Sequence, residues 1–278
     1  MAGQGRWITQ RHRRAAVAAI VGVLLTAGCT SAAERPPPSP TTSPTPSPIP
    51  SPAPTSASTP APPDPPSEAR RVTIALAGDV HFEGVLAQRL RDPATALAPV
   101  APALSAADVT ILNLETSVGS GGRPEPGKRF TFSAGPAAFA ALAAAGVDVA
   151  SMANNHALDY GRARLPSTLE AIRRAARAET PLSVVGIGRD AGEAFAPALT
   201  DVRGTTVATL AASVADQDPT ADRTGQWAAT DERGGIADAL DPARLLEAVR
   251  RTRGAADVVV VYLHWGVQGQ RCPSGDQR

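Results

Sequence analysis

The chain has 278 residues, 43% of them hydrophobic and 19% charged, with a net charge of +1. That near-neutral balance, with no basic stripe interleaved with aromatics, excludes a nucleic-acid-binding role. Aromatics make up only 4% of the chain, so its core must be built mainly from small aliphatic side chains.

The first segment, residues 1–29, reads as an export signal. Arg6, Arg11, Arg13 and Arg14 form a basic start, and Ala15 to Ala27 is an uncharged apolar run. A membrane-spanning helix takes roughly 20 apolar residues, and a basic start before a shorter apolar stretch is the pattern of a secretory signal. The run closes Leu24-Leu25-Thr26-Ala27-Gly28-Cys29. Small residues before a Cys resemble a bacterial lipobox, in which Cys29 is lipidated and holds the chain at the outer face of the cytoplasmic membrane. The alternative is a simple signal peptide with an incidental Cys. One of the chain's two cysteines falls at this spot, which favours lipidation.

Residues 30–69 are rich in Pro, Ser and Thr, and 36–66 read PPPSPTTSPTPSPIPSPAPTSASTPAPPDPP. Such a tract buries no core. It is expected to be a disordered linker, either an extended spacer of roughly 3.1 Å per residue that carries a domain through the cell-wall layer or a tail without function, the position after a lipobox favouring the spacer. The rest, residues 70–278, is sufficient for one sizeable core.

Within it, short β-rich runs alternate with helical patterns. Val72 to Ala77, Asp108 to Leu114, Val147 to Ala153, Leu182 to Ile187, Thr206 to Ser213 and Asp257 to Leu263 read as strands. Pro136 to Ala145 reads as a helix stopped by Gly146. Leu165 to Ala178 carries Leu165, Leu169, Ile172 and Ala176 on one face, and residues 241–253 open on Asp241-Pro242, an N-cap followed by a first-turn proline. The alternation argues for a layered α/β fold.

Four of the six strands end in residues of metal-ligand type: Gly78-Asp79-Val80-His81, Asn113-Leu114-Glu115, Asn154-Asn155-His156 and His264-Trp265-Gly266. In α/β sheets, ligand sites lie beyond the carboxyl ends of the strands. Taken singly, each group has an ordinary structural reading. Together they hold three of the chain's four histidines, the fourth being His12 in the signal. A carboxylate and imidazole set of this kind suits Mn, Fe or Zn, and two such ions about 4 Å apart can clamp both oxygens of a displacement reaction.

The segments GDVHFEG, NLETSVG, KRFTFSAGPAAFAALAAAGVDVASMANNHALDYG and YLHWG resemble the CapA family of poly-γ-glutamate capsule proteins, across nearly all of 72–270. The resemblance implies the calcineurin-like metallophosphatase fold, a central β-sandwich flanked by helices in four layers. It implies two divalent ions, with Asp79 and His81 on one, Glu115 bridging, and Asn155 and His264 on the other. His156 would be the acid or oxyanion stabiliser, and Asp159 would orient it or the following turn. Lys128 and Arg129 either meet an anionic substrate across the crevice or belong to a solvated loop. Family members carry a further Gly-x-His-x-His type block after the HWG strand. The present sequence reaches Arg278 without one, so the resemblance implies a partial domain lacking at least one imidazole ligand.

Two functions follow as expectations. One is a metal-dependent hydrolase acting on a phosphoester or amide bond of an anionic surface polymer or its precursor. The other is a non-catalytic, membrane-anchored scaffold or polymer-binding part of a capsule synthesis complex.

Overall fold

The computed structural model describes residues 71–214, 226–240, 242–266, 270–273 and 277. The export signal with Cys29, the Pro-rich spacer and Asp241 lie outside the described residues. In chain order the elements are β1 (Ile74–Val80), α1 (Ala101–Leu104), β2 (Val109–Leu114), β3 (Ser117–Val118), β4 (Ser133–Ala134), α2 (Ala137–Ala144) and β5 (Val149–Ser151). There follow α3 (Leu165–Ala175), β6 (Ser183–Val185), β7 (Ile187–Gly188), α4 (Ala191–Ala194), β8 (Ala198–Val202), β9 (Thr205–Ser213), β10 (Gly235–Ile236), α5 (Ala243–Thr252) and β11 (Val258–His264). All six expected strands form. β8, the two-residue pairs β3/β4 and β7/β10, and the 3-10 turn Gly84–Arg91 were not anticipated.

Two main sheets carry the fold. The first runs β1-β2-β5-β6, parallel throughout. The second runs β11-β9-β8, with β11 parallel and β8 antiparallel to β9. Every residue of β2 is buried, as expected for a strand covered on both faces. Its alternation separates two cores. Val109 and Ile111 join Val149, Val185, Val207 and Ala211 between the sheets. Leu112 and Leu114 join Phe139 and Leu142 of α2 and Leu165 and Leu169 of α3. Beyond the second sheet, Leu210 and Ala212 belong to a third core with Leu245 and Ala248 of α5 and Ala194 of α4. The layers are therefore helix, sheet, sheet, helix, the four-layer α/β sandwich that the family resemblance implies. Among the described residues no helix is long and apolar enough to cross a membrane.

Local sequence explains the joints. After α2, Gly146 takes φ +86° and Val147 N–H donates to Leu142 O at 3.1 Å, a left-handed helix stop. A Cβ there would lie 2.6 Å from Ser105 Cβ, so the glycine also admits a close approach. The β8–β9 hairpin turns on Arg203 and Gly204, both with positive φ, which matches the twist of the paired strands. The Arg203 guanidinium bonds Asp108 Oδ1 at 2.6 Å and Arg71 O at 2.9 Å, tying this hairpin to the first sheet. Arg203, together with the N–H and hydroxyl of Thr73, holds the Asp108 carboxyl well below the usual carboxylate range.

Asp148, before β5, shows the opposite behaviour. Burial raises its carboxyl above the ordinary value, partly offset by the Thr110 N–H at 2.7 Å. An acid raised in the folded state favours folding only while protonated, and that contribution is lost as pH rises through the folded-state pKa. Asp148→Asn keeps an acceptor for Thr110 and removes the charge. The variant is expected to show a higher urea midpoint than the parent at pH 7, with the difference closing as the pH is lowered toward about 4.

Candidate metal centre

The site lies at the carboxyl ends of β1, β2, β5 and β11. β1 and β2 pair in register from Ile74 to Leu76, then slip, so that Asp79 stands opposite Asn113. The extra residue is a bulge at Ala77-Gly78, and bulges of this kind re-aim the side chains that follow. Here the bulge brings Asp79 to the strand end beside Asn113. Glu115 follows β2 directly, its N–H held by Val80 O at 2.8 Å. His264 ends β11, and Tyr262 Oη two residues earlier donates to Ala77 O at 2.7 Å, joining the two sheets beside the site.

Asp79, Glu115 and His264 place their ligand atoms within 4.8 Å of one another, the one such trio of acidic, His or Cys groups among the described residues. His264 Nδ1 lies 3.7 Å from Asp79 Oδ1, and Nε2 lies 3.8 Å from Glu115 Oε1. Asn155 joins them through Oδ1, 2.8 Å from His264 Nε2. Two carboxylates, an imidazole and an amide oxygen at these separations fit a divalent cation of the Mn, Fe or Zn type. The electrostatics agree. The neighbouring His264 lowers the Asp79 carboxyl against the opposing effect of burial, with Asn113 assisting. Burial raises Glu115, and the charge of Asp79 raises it further, against the pull of His264, His156 and His81. A buried carboxylate destabilised by its own neighbours is relieved when a cation arrives.

His156 stands behind this set, with Nε2 3.9 Å from Glu115 Oε1. Its Nδ1 meets Asp159 Oδ2 at 2.6 Å, and Phe132 N–H donates to the same oxygen at 2.6 Å. Asp159 therefore fixes the ring and leaves Nε2 facing the crevice. Phe132 stacks on His156 with ring centres 3.9 Å apart.

Two of the expected site residues stand apart from this set. His81, expected beside Asp79 on one metal, lies outside the ligand trio. Its Nδ1 accepts the Glu83 N–H at 3.3 Å and its ring stacks on the other face of the aromatic group, 4.7 Å from Phe132. Lys128, expected either to meet an anionic substrate or to belong to a solvated loop, turns inward. Its side chain is fully buried, with Nζ 2.5 Å from Asp159 Oδ1, bonded also to Asn155 O, and 4.6 Å from the Trp227 ring centre. Arg129 is exposed and lies over Phe130, so it alone of the pair has a free path to an anionic ligand.

Asn113 and Asn154 join the site without having been expected there. Both are fully buried. Asn113 Nδ2 contacts Asp79 Oδ1 at 2.9 Å and His264 Nδ1 at 3.1 Å, while its Oδ1 accepts from Asn154 Nδ2 at 2.9 Å. The available signal was a carboxamide inside the mostly apolar run of β2, since a buried polar group must find partners.

With this geometry established, residues 73–278 match the family model described as "Bacterial capsule synthesis protein PGA_cap". A protein described as "Probable polyglutamine synthesis accessory protein" in Mycobacterium tuberculosis strains H37Rv and CDC 1551 is 30% identical over 168 residues, covering 58% of this chain and 42% of the relative. The capsule biosynthesis protein CapA of Bacillus anthracis is 30% identical over 141 residues, covering 49% of this chain and 31% of the relative. The matches thus span less than half the length of these curated relatives. Among solved structures, a candidate 5′-nucleotidase from Staphylococcus aureus overlaps 70% of this chain and 37% of its own at 15% identity and a TM-score of 0.38, too loosely to assign anything further.

Proposed function

Since this chain belongs to the PGA_cap family of bacterial capsule synthesis proteins, we propose that it is a divalent-metal-dependent hydrolase of the cell surface. Its substrate class is a phosphoester or amide bond in an anionic polymer or polymer precursor. The observation that carries the reading is the convergence of Asp79, Glu115 and His264 from three strand ends, with the His156–Asp159 pair directly behind Glu115. An ion held there supplies Lewis acidity and lowers the pKa of a water nucleophile. The chain's own residues supply the rest. Asp159 holds His156 Nδ1, so His156 Nε2 can pass a proton to the leaving group. Phe132 keeps the ring in plane and excludes water from one face. Arg129, exposed at the same loop, offers charge to an anionic substrate.

The export signal, Cys29 and the Pro-rich spacer support a lipid-anchored position at the outer face of the cytoplasmic membrane, among the partners of a capsule synthesis complex. A second ion, as the resemblance implies, would need His81 to give up its bond from Glu83 N–H. That position of His81 favours a second reading, a polymer-binding scaffold without turnover. Metal analysis and a phosphodiester assay separate the two. Full-length protein loaded with Mn²⁺ is expected to hydrolyse a generic phosphodiester and to lose the activity on chelation, with recovery when Mn²⁺ is restored. Protein that carries no metal after dialysis against Mn²⁺, and that shows no turnover, would refute the hydrolase and leave the scaffold.

A further inference from the structure

The two buried asparagines behind the ligands form a chain of hydrogen bonds whose polarity can be read from its fixed end. Asn154 Oδ1 accepts the backbone N–H of His156 at 2.9 Å, and Asn154 Nδ2 donates to the backbone carbonyl of Leu114 at 2.9 Å. A backbone N–H only donates and a carbonyl only accepts, so the orientation of the Asn154 amide is settled without reference to any side chain. The same Nδ2 reaches Asn113 at 2.9 Å, and the atom it meets must be an acceptor, Oδ1. Asn113 therefore turns its NH₂ toward Asp79 Oδ1 at 2.9 Å and His264 Nδ1 at 3.1 Å. A ring nitrogen that faces a donor must present its lone pair. In neutral His264 the proton then sits on Nε2, where it is donated to Asn155 Oδ1 at 2.8 Å.

We infer that Asn113, locked by Asn154, is a positioning residue that holds neutral His264 as its Nε2–H tautomer and so keeps a proton on the nitrogen facing Glu115. Nε2 lies 3.8 Å from Glu115 Oε1, and it can ligate a cation there only by losing that proton. Metal-binding histidines ordinarily donate the N–H of their other nitrogen to a carboxylate or carbonyl, which leaves the ligating nitrogen bare. Here the other nitrogen meets a donor instead. The arrangement weakens retention of a metal at Nε2 and couples uptake there to a rearrangement of the Asn113 amide.

The tautomer is directly readable in the full chain, metal-free, by long-range ¹H–¹⁵N correlation of the imidazoles at about pH 9, above the ordinary histidine pKa near 6.5. The chain has four histidines, and the His264 signals are those lost in His264→Gln. The wild type is expected to show a protonated Nε2 and a bare Nδ1. Asn113→Asp replaces the donor with an acceptor, and Nδ1 is expected to become protonated. Zn²⁺ affinity, measured by calorimetry, is expected to rise by about tenfold or more, the scale on which outer partners of a ligand act. A protonated Nδ1 in the wild type would overturn the inference whether or not the variant folds. So would a variant whose Nδ1 stays bare, or one whose tautomer switches while its affinity falls. The affinity measurement rests on the ligand set proposed above. If neither protein bound Zn²⁺, the hydrolase reading would fail, and the spectrum would still decide the tautomer.

Discussion

Glu115→Gln is expected to bind Mn²⁺ or Zn²⁺ at least about a hundredfold more weakly than the parent, and at the same time to be no less stable without metal. Changing a partner of a metal ligand typically costs ten- to a hundredfold in affinity, and Glu115 is itself within the ligand trio. Its Oε1 lies 3.8 Å from His264 Nε2 and 3.9 Å from His156 Nε2, so it stands between the ligand imidazole and the candidate acid. The stability half follows from the direction of its pKa. Burial and the Asp79 charge raise the carboxyl above its ordinary value. A raised acid contributes to folding below its unfolded-state pKa, and that contribution is lost as the pH rises through the folded value. At pH 7 the ionised carboxylate is therefore held at a cost, which glutamine avoids at nearly the same shape. Calorimetric titration should show the loss of affinity, and urea unfolding in chelator should show an equal or higher midpoint at pH 7. A variant that keeps its metal affinity would exclude Glu115 from the site. One that loses both affinity and stability would mark Glu115 as a structural carboxylate. The opposition of sign is what a binding site built against stability produces.

The architecture was legible in the sequence because each main strand is an apolar run bounded by a turn, and because the buried faces of β2 alternate inside a single hydrophobic stretch. The convergence of strand ends was legible for the same reason. Once β1, β2 and β5 are parallel neighbours, Asp79, Glu115 and Asn155 fall at one end of the first sheet, and the second sheet packed against it brings His264 of β11 beside them. β8 was missed because Ala198–Val202 alternates half-buried and exposed residues and pairs only along one edge, so its pattern is weak without β9. The role of Asn113 was not legible because it depends on the direction of a hydrogen bond 41 residues away in sequence. The setting of His81 was not legible from the resemblance that paired it with Asp79. One residue past the end of β1, the backbone has left the strand, and the ring turns to Phe132 rather than to the ligand trio.

Lys128 is the residue whose sequence context misled most, and it carries the largest expected effect on stability. It follows the glycine- and proline-rich segment from Gly119 to Gly127, where a lysine is ordinarily solvated. In the fold its side chain is buried with that of Asp159, a residue 31 positions away, and covered by Trp227. Lys128→Met retains the apolar stem and removes the charge, leaving the Asp159 carboxyl in a closed site with the Phe132 N–H and His156 Nδ1 as its remaining partners. Removing one partner of a buried pair typically costs about 3–5 kcal/mol, because the remaining group loses its counter-ion. The loss is expected as a lower urea midpoint at pH 7 with an unchanged slope. Adding Asp159→Asn removes the stranded charge and is expected to recover a large part of the deficit, a coupling that a double-mutant cycle measures. A lysine placed for substrate would behave otherwise. Its replacement would shift stability by no more than about 0.5 kcal/mol, as is usual for an exposed side chain, and would instead weaken binding of an anionic polymer. In the buried arrangement the order of effects is reversed: the fold around Asp159 gives way first, and His156 loses its orientation with it, because the carboxylate that Lys128 neutralises is the one that holds His156 Nδ1.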